Sequence, residues 1–358
     1  MMKKSIFAVA VASVLTLGAA QAETVLYGSI RYDYENKKNE FGDTTLDANG
    51  KAKRVSNLSD AGSRIGIKGS EDLGNGNAVI YNLEWGFDGM TQDESKGAKT
   101  RKAMLGLTGD WGTFVAGRQN NPFYDTLVDG SVVDDFNGSN VIKSAAQRAM
   151  TTTLNPGANP YDASFTRVGK VAAYITPEFA GFQASAAIMM DDSLYAINDE
   201  KNLDLWTINA KYAYDFGANG TLTAKAGYIQ GKLADTNKSK AWGLFLGYSQ
   251  DSFGVTAAYA DGNHKNVGAD HKEKSKGWDL GASFSFGPNY FSTVRANYGE
   301  NQVKLEGNKE KVKSWAVGFE QKLSTRTRAW VEYGQEKYHD NADKPKNNVI
   351  SVGMRHDF

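Results

Sequence analysis

The sequence predicts an all-β fold, a transmembrane antiparallel up-and-down β-barrel of about sixteen strands. Three observations carry this reading. The N-terminus is built for export, a two-residue hydrophobic period runs along nearly the whole chain, and the links alternate between short and long.

Lys3 and Lys4 precede an apolar, small-residue segment from Ile6 to Ala19, and Ala20-Gln21-Ala22 has the form of a cleavage site. The apolar segment is too short to hold a bilayer as a helix. Residues 1–22 are therefore expected to be a signal peptide and residues 23–358 the barrel.

Alternation begins at once. Leu26, Gly28, Ile30, Tyr32 and Tyr34 share one face, and Tyr27, Ser29, Arg31 and Asp33 share the other. Val79, Tyr81, Leu83, Trp85 and Phe87 repeat the pattern against Asn82 and Glu84, as do Trp206, Ile208, Ala210, Tyr212 and Tyr214 further on. Segments 241–248, 277–286, 314–320 and 349–358 follow, with Trp242, Trp278, Trp315 and Phe358 on the apolar faces. Successive strand side chains point to opposite faces, so alternation this long marks strands with one apolar side and one wet side. No comparable stretch shows the helical period.

Short links fall at 71–77, 109–112, 176–181, 215–220, 251–254, 287–289 and 323–326. Long polar ones fall at 36–52, 89–99, 119–164, 191–202, 233–239, 261–276, 301–311 and 337–347. Short periplasmic turns alternating with longer extracellular loops are the asymmetry of an outer-membrane barrel, with both termini on the short side. Pro122, Pro156, Pro160, Pro177, Pro288 and Pro345 all lie in links. A closed barrel has no edge strand in which a missing N–H donor is harmless.

Composition narrows the function. Basic and acidic residues balance at 41 each, so no nucleic-acid partner is expected. There is no cysteine, and the four histidines lack ligand spacing, so neither a metal nor another cofactor is expected. A mean hydropathy of −0.50 is compatible with a membrane barrel, because only alternate residues meet lipid. A soluble sandwich would bury its apolar faces against a second sheet. Here aromatic residues gather near segment ends, as interfacial girdles do. His264 and His271 stand among lysines and read as part of a solvated loop, and His356 falls on the lipid face by phase. No nucleophile elbow, metal cluster or phosphate loop occurs, so an enzyme is not expected.

Several segments are similar to a known family. Ser63 through Gly76 (Ser-Arg-Ile-Gly-Ile-Lys-Gly-Ser-Glu-Asp-Leu-Gly-Asn-Gly) resembles the second hairpin of Gram-negative general porins, and Arg101 through Gly109 followed by Trp111 through Arg118 resembles the next. Thr176 through Gly181 matches a later turn, especially of the neisserial type, and Val352 through Phe358 resembles the terminal strand. The resemblance implies a trimer of sixteen-stranded barrels in the bacterial outer membrane, each with a third loop folded into the lumen as a constriction. Each barrel would pass ions and small hydrophilic solutes. A barrel of this size leaves an aqueous channel, whereas about eight strands would be filled by side chains.

Residue by residue, the resemblance places Arg64, Arg101 and Arg167 on the basic wall of the constriction, with Lys68 nearby, and Asp129, Asp134 and Asp135 on the loop opposite. Arg64 and Lys68 alternate with Ile65 and Ile67, which puts both on the wet face. Lys170 follows Arg167 out of phase, so the facing of these two stays open, since a slip of one residue reverses every side chain. Arg31, Lys211, Lys225 and Arg295 read as ordinary lumen lining. Phe358 resembles the terminal signal recognised by barrel-assembly machinery. Gly28, Gly66 and Gly106 read as small outward positions that permit close packing of barrels. Two other functions stand beside the general porin. One is a substrate-selective channel, which would need aromatic side chains tracking through the lumen. The other is an adhesin or phage-receptor barrel acting through its loops.

Overall fold

The computed structural model describes residues 23–41, 46–91, 97–190, 205–234, 237–266, 271–305, 307–339 and 344–358; the expected signal peptide at 1–22 lies outside them. Seventeen strand segments form one antiparallel sheet: β1 (Glu23–Asn39), β2 (Val55–Asp60), β3 (Arg64–Gly74), β4 (Asn77–Gly86), β5 (Lys99–Gly109), β6 (Gly112–Asn120), β7 (Arg167–Ile175), β8 (Phe182–Met189), β9 (Leu205–Asp215), β10 (Thr221–Ala234), β11 (Asn237–Gln250), β12 (Phe253–Asn266), β13 (His271–Phe286), β14 (Ser292–Leu305), β15 (Asn308–Lys322), β16 (Thr327–His339) and β17 (Lys346–Asp357). β2 pairs with the extracellular half of β1, and β3 with its periplasmic half. They are therefore two halves of one stave, and the barrel has sixteen positions.

The break between those halves has a local cause. The Asp60 carboxylate accepts from the Gly62 and Ser63 amides at 2.9 and 3.0 Å, which folds the backbone away from the ladder. Gly62 sits at φ +102°, a region open to glycine. The interruption comes one residue before Arg64.

Polarity runs inside out. Leu26, Leu105, Val331 and Met354 are 58%, 61%, 53% and 55% exposed on the outer face, while Asp33, Glu84, Asp279 and Glu332 are buried on the inner one. That arrangement is stable only when the outer solvent is lipid. At the extracellular rim of the apolar band, Trp206–Tyr228, Trp242–Tyr259, Trp278–Tyr298 and Trp315–Tyr333 pack across neighbouring strands at 5.3–5.5 Å between centroids. Tyr214–Phe216 and Phe284–Phe286 serve the periplasmic rim.

The seam closes where β1 meets β17. The Gly28 and Phe358 amides each donate to the other's carbonyl at 3.1 Å. A Cβ on Gly28 would stand 2.5 Å from the Phe358 ring and 2.6 Å from the Arg64 carbonyl, so the terminal ring fits only over a glycine. Gly66 and Gly106 do not face outward as expected. A Cβ there would meet the lumenal side chains Tyr27 and Val115 respectively.

Two further expectations need correction. The described residues of the polar stretches at 233–239, 261–276, 301–311 and 337–347 are mostly strand, since β10–β17 continue beyond the lipid. Above the membrane both faces meet water, and polarity no longer separates strand from loop. His264 accordingly lies in β12, buried, 2.8 Å from the Ser239 hydroxyl, rather than in a solvated loop. The third loop contains two helices where none was expected, α1 (Pro122–Leu127) and α2 (Ala145–Leu154). Every residue of α2 is buried, its polar face of Gln147, Arg148, Thr151 and Thr152 as well as the apolar stripe of Ala145, Ala146, Ala149, Met150 and Leu154, and the helical period lasts only ten residues.

Candidate pore constriction

The third loop, residues 121–166, lies inside the barrel and is fixed to one side of it. α1 packs on β9–β11 and α2 on β11–β14. Asn121 caps α1 by accepting from the Phe123 amide at 3.0 Å, and Ser144 caps α2 by accepting from Gln147 at 3.1 Å. The barrel wall caps α2 a second time. Asp279 of β13 accepts from the Ser144 hydroxyl (2.7 Å) and from the Ala145 and Ala146 amides (3.1 and 3.0 Å). Its negative charge meets the positive end of the helix dipole.

Glu332 of β16 does the same for the segment between the helices, accepting from the Asn137 and Gly138 amides at 2.9 Å. Arg148 of α2 pairs with Glu336 at 2.6 Å, both buried. Lys225 and Arg295, expected to be plain lining, are tethers as well. Lys225 donates to the Asp125 and Asp129 carbonyls at 3.0 and 2.6 Å, and Arg295 to the Asp135 carbonyl at 2.6 Å.

With the loop held against β9–β17 and tied by Asn140, which donates to Glu35 at the extracellular end of β1 (2.8 Å), the wall from β3 to β7 stays open to the lumen, and there the arginines gather. Arg31, Arg64, Arg101 and Arg167, from β1, β3, β5 and β7, lie close enough to repel one another. Arg101 is also paired with Glu84 at 2.6 Å, and Tyr27 donates to the same carboxylate at 3.1 Å. A register shift opposite Glu84 and Trp85 lets Lys102 join Arg101 on the wet side, which strict alternation forbids. A second bulge decides Arg167. Lys170 sits at φ +47° and the β6–β7 register shifts opposite it, so the phase resets and Arg167 falls among Arg101, Glu84, Tyr124 and Arg64. Lys68 is four residues nearer the periplasmic turn, about 13 Å along the strand, with its ammonium 5.5 Å from the centre of the Tyr27 ring.

The three aspartates separate. Asp134 is exposed to lumen water, accepts from the Tyr124 hydroxyl at 3.3 Å and is attracted to Arg64. It is the carboxylate that faces the arginine wall. Asp129 forms an ion pair with Lys225 at 3.3 Å. Asp135 turns the other way, toward Arg295, Arg328 and Glu320. Asp125, not singled out in the sequence, accepts from the Asn120 side-chain Nδ2 at 2.8 Å and shares a cavity of about 260 Å³ with Lys102. Enclosure by the barrel and the nearby Asp129 push Asp134 up to about 6 and Asp125 up to about 7.

Among the described residues no group of three or more histidine, aspartate or glutamate side chains is arranged to hold a metal ion. The arrangement sets cations along one side of the lumen and a carboxylate on the loop opposite.

Comparison with known proteins agrees with this architecture. The family described as Gram-negative porin matches residues 8–341. The major outer membrane protein P.IB of Neisseria lactamica is 29% identical over 371 residues, covering 100% of both chains. An anion-selective porin from Comamonas acidovorans superposes with a TM-score of 0.71 at 20% identity, over 94% of this chain and 100% of that one. OmpT of Vibrio cholerae, in a trimer form, gives 0.65 at 14% identity, over 95% and 100%. With a match over nearly its whole length, the chain belongs to the Gram-negative porins.

Proposed function

We propose that the chain forms a water-filled channel for passive diffusion of ions and small hydrophilic solutes across the bacterial outer membrane, and that its constriction favours anions. The observation that carries this reading is the geometry of the third loop, which is tied to β9–β17 and leaves four arginines facing Asp134 across open lumen. Arg64 and Arg167 have no carboxylate within ion-pair distance among the described residues, so positive charge dominates the passage. The anion-selective porin of Comamonas acidovorans offers a parallel. Reversal potentials across a salt gradient in planar bilayers test it. Anion preference is expected, and cation preference would overturn it.

Acid should strengthen that preference. A carboxylate with a raised pKa is charged above that value and neutral below it. Lowering the pH from 7 to 5 neutralises Asp134, whose pKa lies at about 6, and removes the negative side of the passage. The reversal potential is expected to move further toward anions over this range. An unchanged potential would mean that Asp134 does not face the ion path.

We infer that the barrel works as a homotrimer, as the trimer form of OmpT from Vibrio cholerae does. Mass measurement in mild detergent tests this, and a monomer as the only species would refute it. Residues 1–22 would act as the signal peptide and Phe358 as the mark read by barrel-assembly machinery. Replacing Phe358 with Asp puts a charge at the periplasmic edge of the lipid-facing band, at a cost of about 1 kcal/mol or less. It also removes the ring that closes the seam over Gly28. Lower recovery of heat-modifiable, membrane-inserted protein is expected.

A further inference from the structure

The open wall of the lumen is lined by charges at the level of the arginines and by aliphatic side chains below them. Ile80 of β4, Met104 of β5, Val115 of β6, and Ala173 and Ile175 of β7 border one cavity toward the periplasmic ends of their strands. Ile80 and Val115 meet over Gly106, where a Cβ would stand 2.6 Å from Val115 Cγ1 and 3.2 Å from Ile80 Cγ1. Support of the third loop does not account for this patch, because α1 packs on β9–β11 and α2 on β11–β14. The patch instead walls the cavity of about 260 Å³ whose far side is Pro122, Asp125 and Thr126 of α1. One water occupies about 10–15 Å³ by this measure, so the space suits a small organic molecule.

The polar groups around the patch leave positive charge over. Lys102, Lys211 and Lys225 border the cavity against Asp125 and Asp129. Lys225 is taken by Asp129 at 3.3 Å. Lys102 and Lys211 have no ion pair among the described residues, although Lys102 is near enough to Asp125 to feel its charge. β5 and β6 pair through Ala103 and Arg118, which brings Gln119 next to Lys102. The Gln119 Nε2 is buried and has no hydrogen-bond partner. One end of an aliphatic trough therefore holds an unpaired ammonium and an unused amide donor.

We propose that this cavity is a subsite for small monocarboxylates with an aliphatic tail, reached from the lumen on the periplasmic side of the constriction. The carboxylate accepts from Lys102 Nζ and Gln119 Nε2, and the tail lies along Met104, Ile80, Val115 and Ile175. A zwitterion fits less well, since its ammonium would enter a cavity that already carries one cation in excess. Each methylene taken out of water is worth about fourfold in affinity, so the tail decides which carboxylates are retained. The proposal rests on the anion-favouring channel above and adds a preference among anions.

The test is unit conductance in planar bilayers at pH 6, where Asp125, with its pKa pushed up to about 7, is mostly uncharged and the probes are ionised. The probes are 4-methylpentanoate, acetate and the neutral 4-methylpentanamide. In wild type, 4-methylpentanoate is expected to lower conductance at concentrations at least tenfold below those acetate requires, and the amide to have no effect. Lys102→Met should raise the effective concentration of 4-methylpentanoate about tenfold or more. The double variant Met104→Gln, Ile175→Gln should bring 4-methylpentanoate to the level of acetate. Equal effects of acetate and 4-methylpentanoate on wild type, an equally effective amide, or a double variant with the wild-type ratio would each overturn the subsite. The reversal potential in the same recordings separates this from the channel reading, because chloride preference that persists alongside any of those results overturns the subsite alone.

Discussion

Changing Arg64 to Ser is expected to move the reversal potential toward cations, and changing Asp134 to Asn to move it toward anions. A unit charge about 4 Å from a passing ion is worth roughly 1 kcal/mol in bulk water and more where protein displaces water. Each substitution should therefore alter the anion-to-cation permeability ratio about fivefold or more. Arg101→Ser should act more strongly than its position alone implies, because it also leaves the buried Glu84 carboxylate without its 2.6 Å partner. Asp135→Asn should do little by comparison, since that side chain faces Arg295 and Arg328. All these shifts should shrink between 0.1 and 1 M salt, as the Debye length falls from about 10 Å to about 3 Å. A shift that survives one-molar salt undiminished would point to a steric change in the passage.

The largest effect on pore size should come from cutting the tethers of the third loop. Asp279→Ala leaves the Ala145 and Ala146 amides and the Ser144 hydroxyl without their acceptor, and Glu332→Ala does the same to the Asn137 and Gly138 amides. Each buried polar group left unpaired costs about 1–3 kcal/mol. Glu332→Ala also strips Arg295 of one of its two carboxylate partners. The double variant should insert normally, because the strand ladder does not depend on either side chain. Its loop should leave the wall intermittently, giving larger and noisier unit conductance and faster uptake of sugars excluded by the wild type. Wild-type conductance and cut-off in the double variant would show that the loop is held by packing of α1 and α2 instead.

How much of this was legible in the sequence follows from where the physics imposes a pattern. Between the two aromatic rims every stave must show lipid one face and water the other, so alternation, turns and the inward phase of Arg64 could all be read. Above the extracellular rim that constraint ends, and Lys272 through Lys276 looked like a loop although they extend β13. Inside the lumen it fails differently. α2 does set an apolar stripe, Ala145, Ala146, Ala149, Met150 and Leu154, against Gln147, Arg148, Thr151 and Thr152, but it spans only ten residues inside a long polar link, too few for the period to stand out. Lys102 and the facing of Arg167 were hidden by bulges, which change phase without any fixed residue signature. Lys225 and Arg295 were visible as inward cations. Their role was not, because they bind backbone carbonyls of a loop whose path the sequence leaves unspecified.

The constriction requires the third loop to lie within the lumen of the inserted barrel, and a disulfide tests that most directly. The chain has no cysteine, so an introduced pair reports without background. A Cβ on Gly299 of β14 would stand 3.1 Å from the Ala145 Cβ of α2 and 2.5 Å from Asp279 Oδ1, so the Asp279 side chain must rotate aside while the new disulfide takes over its hold on the helix. A disulfide needs about 3.5–4.5 Å, within reach of a small adjustment. In the variant carrying Ala145→Cys and Gly299→Cys, mild oxidation of membrane-inserted protein should remove both free thiols while unit conductance and reversal potential stay at wild-type values. Thiols that remain free in inserted, conducting barrels would put the loop outside the lumen and contradict the proposed constriction.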